Sequence, residues 1–326
     1  MTPLVSVVIP TYNYGHLVAA AVDSALAQTH PAVEVIVVDD GSTDDTTSRL
    51  AGYSDRIRVI RQENQGLSAA RNTGIRAARG DYVALLDSDD AFHPRKLERQ
   101  MAAFAARPEL SLVGTGMFSE EPPVWAAVPD APPRVGTPKL DELVVRTCFA
   151  PSSAVIRKRC LDEVGLFDTE LRSVEDRDMW IRVGARHQVG VIEEPLTWYR
   201  QTPGSMSRNP ERMETNERKV LDKAFALPEL RGHGLLRRKA LALTDLTAAY
   251  MYFTAGRPGV AARRLMRSLA RWPVPLRKPD VHEPYARMRL LFAILLPLAI
   301  PAIATVRWMT FESKRWKNSD HPWGED

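Results

Sequence analysis

Short apolar runs that alternate with helical patterns, each followed at once by a polar signature, constrain this chain more than any other feature. Val5 to Ile9 is a β-rich run stopped by Pro10, and Leu17 to Leu26 then carries apolar residues at helical spacing. Val33 to Val38 reads as a second strand, Thr43 to Leu50 as a short helix and Ile57 to Ile60 as a third strand. Leu67 to Ala78 reads as a helix closed by Arg79-Gly80, and Tyr82 to Leu86 as a fourth strand. Strands apolar on both faces need cover on both faces. Their alternation with helices predicts an α/β fold built on a doubly wound, mostly parallel sheet with right-handed crossovers. In such sheets ligands bind outside the carboxyl ends of the strands. Thr11-Tyr12-Asn13, Asp39-Asp40-Gly41-Ser42 and Asp87-Ser88-Asp89-Asp90 each follow a strand directly. Three distant segments are thus expected on one rim.

Pro94 to Ala106 reads as a helix, Leu110 to Gly114 as a strand, and the proline-rich Glu120 to Pro138 as a surface loop. Leu140 to Val145 and Arg157 to Val164 read as helices, and Ala154 to Ile156 as a short strand. The pair Glu175-Asp176 opens a further helix, in which Trp180 and Val183 share a core face, and Val189 to Val191 closes the core. From about Asn209 the pattern changes to long helices, including Leu241 to Phe253 and Val260 to Leu269. The expected division is 1–208 as the ligand-binding domain, with halves at about 1–115 and 116–208, and 209–326 as a C-terminal helical appendage. Within the latter, 290–306 is almost wholly apolar, but Pro297 and Pro301 interrupt it. It falls short of the roughly twenty residues a comfortable membrane span needs. A buried helical hairpin and attachment to a membrane surface are both open readings, and the flanking Arg287, Arg289 and Arg307 fix no orientation.

Composition narrows the classes. A chain of 326 residues with 44% hydrophobic content can bury a large core, so disorder is not expected. The net charge of +4 is small for this length and gives no reason to expect a nucleic-acid partner. The two cysteines, Cys148 and Cys160, have no metal-ligand spacing and suit a reduced, cytoplasmic compartment. The N-terminus enters a strand at once without the features of a signal peptide, so export is not expected.

Asp87-Ser88-Asp89 places two carboxylates on alternating positions after a buried strand, a donor set that suits hard divalent cations. Acidic triplets also serve as turns and helix caps, so this signal needs context. The context is Val37 to Asp44, a buried strand leading into a carboxylate pair and turn residues, and the segment Asn64 to Asn72. His16, His30 and His93 have no ligand spacing and read as structural or surface residues.

Ser6 to Asn13, Asp39-Asp40-Gly-Ser-Thr-Asp44, Gly66-Leu-Ser-Ala-Ala-Arg-Asn72 and Asp87-Ser-Asp89, in that order, resemble glycosyltransferase family 2, whose fold is the GT-A nucleotide-binding sheet. Gly165-Leu-Phe-Asp168 and Glu175-Asp-Arg-Asp-Met-Trp180 extend the resemblance, which covers about Pro3 to Arg200. It implies an inverting, metal-dependent transferase that moves a sugar from a nucleoside-diphosphate donor, of uridine type, to an acceptor hydroxyl in polysaccharide or glycoconjugate synthesis. Saccharide, lipid-linked and protein acceptors all remain compatible. Carried onto matching positions, Thr11 and Tyr12 border the base, Asp40 accepts a hydrogen bond from it and Arg71 approaches the nucleotide. Asp87 holds the ribose, Asp89 holds Mg²⁺ or Mn²⁺, and Asp176 is the catalytic base. Asp178 competes for that role. Asp39 is either a turn-stabilising carboxylate or a donor contact, Asn13 and Asn72 are equally turn residues, and Glu175 and Arg200 are further candidates, the latter on a loop resembling the family's mobile segment.

A carboxylate at a helix N-terminus is favoured in its charged form, while a neighbouring carboxylate and desolvation oppose it, a balance that suits a base at neutral pH. Three rivals fare worse. A phospho-acceptor signalling domain would end within about half this length. A nucleotidyltransferase would carry a glycine-rich basic loop where Pro10-Thr-Tyr-Asn13 stands. A binding-only or scaffold protein on the same fold would have no need of Asp87, Asp89 and Asp176.

Overall fold

A computed structural model describes residues 2–53, 55–120, 123–202, 208–276 and 286–295. The chain opens β1 (Val5–Thr11), α1 (Gly15–Leu26), β2 (Val33–Asp39), α2 (Thr46–Ala51), β3 (Arg58–Arg61), α3 (Leu67–Ala77) and β4 (Tyr82–Leu85). It continues β5 (Ala91–Phe92), α4 (Lys96–Ala106), β6 (Leu110–Phe118), β7 (Val135–Gly136), α5 (Leu140–Val145), β8 (Val155–Arg157), α6 (Lys158–Val164), α7 (Glu175–Arg186) and β9 (Gln188–Trp198). Four further helices follow, α8 (Pro210–Ala224), α9 (Gly234–Thr254), α10 (Pro258–Arg271) and α11 (Ala286–Leu295).

The strands form one sheet in the order β3-β2-β1-β4-β8-β6-β9-β5, with β7 beside β9. β3, β2, β1 and β4 pair in parallel, as do β6 and β9, whereas β8, β5 and β7 run against their neighbours. Successive residues of β1 face opposite sides, and both sides are buried. Val8 joins Ile36, Leu85, Ala70, Ile75, Trp180 and Leu221 in one core cluster. Val5, Val7 and Ile9 join Val18, Val22, Leu97 and Phe104 in the other. The fold class expected from the apolar alternation is the one observed.

Two differences have physical causes. α2 starts at Thr46 rather than Thr43, because Asn13 Oδ1 accepts the amides of Thr43 and Asp44 and draws those residues into a loop. β6 and β9 outrun the short strands expected there. Polar Thr115, Glu193 and Glu194 and the ladder irregularity around Gly116 and Pro195 hide their pattern. α8 packs onto the sheet, with Val220, Leu221 and Ala224 in the same core cluster as Val8 and Trp180. Among the described residues no helix is long and apolar enough to cross a membrane. The apolar stretch 290–306 lies outside them beyond Leu295.

Candidate active site

The strand order reverses between β1 and β4, which opens a crevice at the carboxyl ends of those strands. Thr11 ends β1, Asp39 ends β2, and Asp87 to Asp90 follow β4. The three polar segments expected on one rim are there, and a fourth, the start of α7, is tied to them through Arg71.

Arg71 lies on α3, essentially without solvent exposure, and donates to Asp87 Oδ1 at 2.6 Å and to Glu175 Oε1 at 2.5 Å. These carboxylates, the first of which belongs to the acidic triplet and the second to the helix 104 residues away from Arg71, hold the guanidinium charged against the cost of burial. Arg71 therefore sits beneath the crevice wall with both terminal amino groups engaged. Its Nε is buried without a partner, as are Thr11 Oγ1 and Ser68 Oγ. Buried polar atoms without partners are rare in native proteins, and these three lie on adjoining β1 and α3. Nothing in the sequence distinguished Ser68.

The carboxylates after β2 divide their work. Asp39 Oδ1 accepts the amide of Ser42 at 2.8 Å and Oδ2 accepts the Thr47 hydroxyl at 3.1 Å, so it holds the turn. Asp40 accepts from Gln62 Nε2 and from the amides of Gln65 and Gly66 at 2.7 to 3.0 Å, which seats it at the N-terminus of α3, where a helix favours negative charge. A carboxylate has about four acceptor positions, so one remains for a ligand. Asn13 and Asn72 are both structural. Asn13, at φ 57°, stitches the first loop to the second, and Asn72 exchanges two hydrogen bonds with the backbone of Phe167. Tyr12 is half exposed at the mouth.

In the acidic segment, burial and then the charge of Asp87 raise the Asp89 carboxyl to about 6. Asp90 is buried and raised well above the usual carboxylate range, by burial and then by Asp89. It accepts from Ser152 Oγ at 2.5 Å and from the amide of Arg200 at 3.0 Å. The Thr202 hydroxyl donates to Asp89 Oδ2 at 3.2 Å, and Arg200 lies over the Trp198 ring at 4.3 Å. The Tyr14 phenol is raised by burial and then by Asp89, so it faces the same acids. Asp90, Thr202 and Tyr14 are additions to the expected set. Among the described residues no group of three His, Cys, Asp or Glu side chains is placed to hold a metal ion. One or two carboxylates with substrate phosphates completing the shell is the mode of Mg²⁺.

At the start of α7, burial and then Glu175 raise the half-buried Asp176 carboxyl to about 7. Asp178, its competitor, has one oxygen on Arg182 at 2.9 Å and the other on Lys223 at 2.6 Å. Among the described residues Asp176 makes one hydrogen bond, with the Arg177 amide through Oδ1, which leaves its other oxygen uncommitted there. Trp180 is buried against Phe149 and Phe167, as core packing. His30 and His93 bond backbone groups of their own surroundings, and both cysteines are free.

A reversed parallel sheet with an acidic rim defines a nucleotide-binding class of fold, and solved structures of the same shape narrow it. The S. aureus TarS fragment in complex with UDP-GlcNAc superposes with a TM-score of 0.56 at 20% identity, covering 84% of this chain and 93% of that one. The mannosyltransferase PcManGT of Pyrobaculum calidifontis, in complex with GDP-Man and Mn²⁺, superposes at 0.54 and 20% identity, covering 91% and 88%. The fold is GT-A. Residues 6–165 match the family model described as Glycosyl transferase family 2. An uncharacterized glycosyltransferase of Haemophilus influenzae is 30% identical over 227 residues, which span 67% of this chain and 75% of that protein. EpsJ of Bacillus subtilis, also an uncharacterized glycosyltransferase, is 32% identical over 223 residues, 64% of each chain. One from Rickettsia prowazekii is 32% identical over 188 residues, and the match spans 58% of its length. The chain belongs to glycosyltransferase family 2.

Proposed function

We propose that this glycosyltransferase moves a sugar from a uridine-type nucleoside-diphosphate donor to an acceptor hydroxyl, with inversion at the anomeric carbon. The observation that carries the reading is Arg71, which joins Asp87 on the donor side to Glu175 beside Asp176. A single arginine so placed couples the position of the donor to that of a base. Thr11, Tyr12 and the remaining acceptor position of Asp40 hold the nucleobase, and Asp87 holds the ribose. Arg71 then acts on the donor through Asp87. Asp89 holds the divalent cation, Mg²⁺ or Mn²⁺, with Arg200 and Thr202 closing over it from the end of β9. When bound, that cation neutralises charge on the departing diphosphate.

Asp176 takes the proton of the acceptor hydroxyl as its oxygen attacks the anomeric carbon from the face opposite the diphosphate. One base and one displacement suffice, so no covalent sugar intermediate forms. We assign 1–208 to this catalytic unit, 1–115 to the donor and 116–208 to the acceptor, with 209–326 as a helical region whose first helix, α8, packs into the same core. An acceptor in polysaccharide or glycoconjugate synthesis at the cytoplasmic face of a membrane is the setting we favour. Its support is one face of α10, where exposed Met266 lies between Arg263 and Arg267.

A panel of nucleotide sugars with Mn²⁺ or Mg²⁺, read by thermal stabilisation and slow donor hydrolysis, tests this. Uridine donors should stabilise the protein most. Asp176→Asn should keep donor binding and lose hydrolysis and transfer, and normal turnover by that variant would remove the base assignment.

A further inference from the structure

Val174, immediately before Glu175, adopts φ 57° and ψ 20°, the left-handed region. A β-branched side chain is disfavoured there, and such a conformation persists only where its surroundings over-determine it. Val174 is the N-cap of α7 and no side chain caps that helix. Whatever fixes this turn also fixes where Asp176 stands.

One face of α8 supplies the ties. Asn216 Nδ2 donates to Ser173 Oγ at 2.9 Å in a buried contact, just before Val174. Glu217 pairs with buried Arg177, just after it. Lys223 bridges Asp178 at 2.6 Å and Asp168 at 2.7 Å, fastening the turn to the segment that Asn72 also holds. Val220 and Leu221, between these residues, anchor the same helix in the main core. The spacing 216, 217, 220, 221, 223 is that of a single helical face.

The geometry points to α8 as the positioning element of the base: Asn216, Glu217 and Lys223 grip residues 173–178 on both sides of Val174 and hold Asp176 beside the donor segments. This rests on reading Asp176 as the base. The helix after residue 209 is on this account part of the catalytic apparatus, and Asn216 is a positioning residue that touches no substrate.

The test measures hydrolysis of the nucleotide sugar that most stabilises the wild type. Asn216→Ala and, from the other side of the same hydrogen bond, Ser173→Ala should each lower kcat about tenfold while the donor KM stays within about twofold. Val174→Gly placed in the Asn216→Ala background should recover about threefold of that loss, because glycine adopts the left-handed conformation without needing the grip. A merely structural role predicts a lower melting temperature with kcat per folded molecule unchanged and no recovery by glycine, and that result overturns the proposal. Should Asn216→Ala fail to fold, Ser173→Ala decides alone. Asp176→Asn separates the two levels. If it is inactive while the grip variants keep full kcat, only the role of α8 falls; if it is fully active, the base reading itself falls.

Discussion

Asp176 carries the chemistry of the account, and its environment sets its pH dependence. Burial and Glu175 raise its carboxyl to about 7, so the folded protein holds the proton more tightly than the unfolded chain does. A base must be ionised, so kcat/KM should climb about tenfold per pH unit below 7 and level off above it. A pH–rate profile of donor hydrolysis checks this, and an acid limb centred near 4 would contradict it. The linked stability effect has the opposite sign. The charged form is the disfavoured one, so the cost to folding is absent below the unfolded pKa, grows between about 4 and 7 and is complete above 7. At this scale the sequence was legible by type and illegible by role. Adjacent Asp39 and Asp40 look alike on paper, and only the hydrogen-bond partners separate a turn-holding carboxylate from one seated on α3. Lysine is seldom fully buried, yet Lys96 is, over the Phe92 ring at 3.9 Å with Gln100 as its hydrogen-bond partner. Both partners stand four residues away along the chain, yet nothing in that spacing says that the charge is buried.

Among the elements, α3 does the most to shape the crevice, because it presents Ser68 and Arg71 and its approach at Gln65 and Gly66 is held by Asp40. It lies very close to β1 at Gly74, where an added Cβ would stand 2.3 Å from Val8 Cγ1. Gly74→Ala should therefore cost about 1–3 kcal/mol, as overpacking does, and should weaken donor binding by displacing α3. Urea unfolding together with donor titration checks this, and an unchanged midpoint with unchanged affinity would contradict it. Strands β1, β2 and β4 and helices α1 and α3 were legible because burial on both faces leaves an apolar run broken only by Ser6 in β1 and Glu34 in β2, and amphipathic helices keep their period. β9 was legible only at its start. Its outer half carries Glu193, Glu194 and Pro195, and Glu194 is there to pair with Arg99 of α4, a partner 95 residues away that no window along the chain can detect.

At the scale of the whole molecule, the change of pattern near residue 209 marks a change of element type within one core. Val220, Leu221 and Ala224 lie in the cluster that covers the sheet, and buried Asp245 of α9 pairs with Arg218 of α8 and with Arg271 of α10. Burying a side chain the size of Val or Leu contributes about 1.5–3 kcal/mol, and a domain's whole stability is roughly 5–15 kcal/mol, so losing α8 should be decisive. A fragment ending at 208 should aggregate or melt far below the full chain in a thermal scan; a soluble fragment with an equal melting temperature would contradict this. The GT-A class and the acidic rim were readable because the motifs sit at strand ends, while the contribution of α8 was hidden because it works through long-range pairs. The most direct test of the central claim, that Asp89 and the segments around it hold a cation and a nucleoside diphosphate together, is calorimetric titration of UDP with and without Mn²⁺. The wild type should bind UDP with Mn²⁺ and lose most of that affinity without it, and Asp89→Ala should lose it in both conditions. Equal affinity in the variant and the wild type, or no binding by the wild type, would contradict the account.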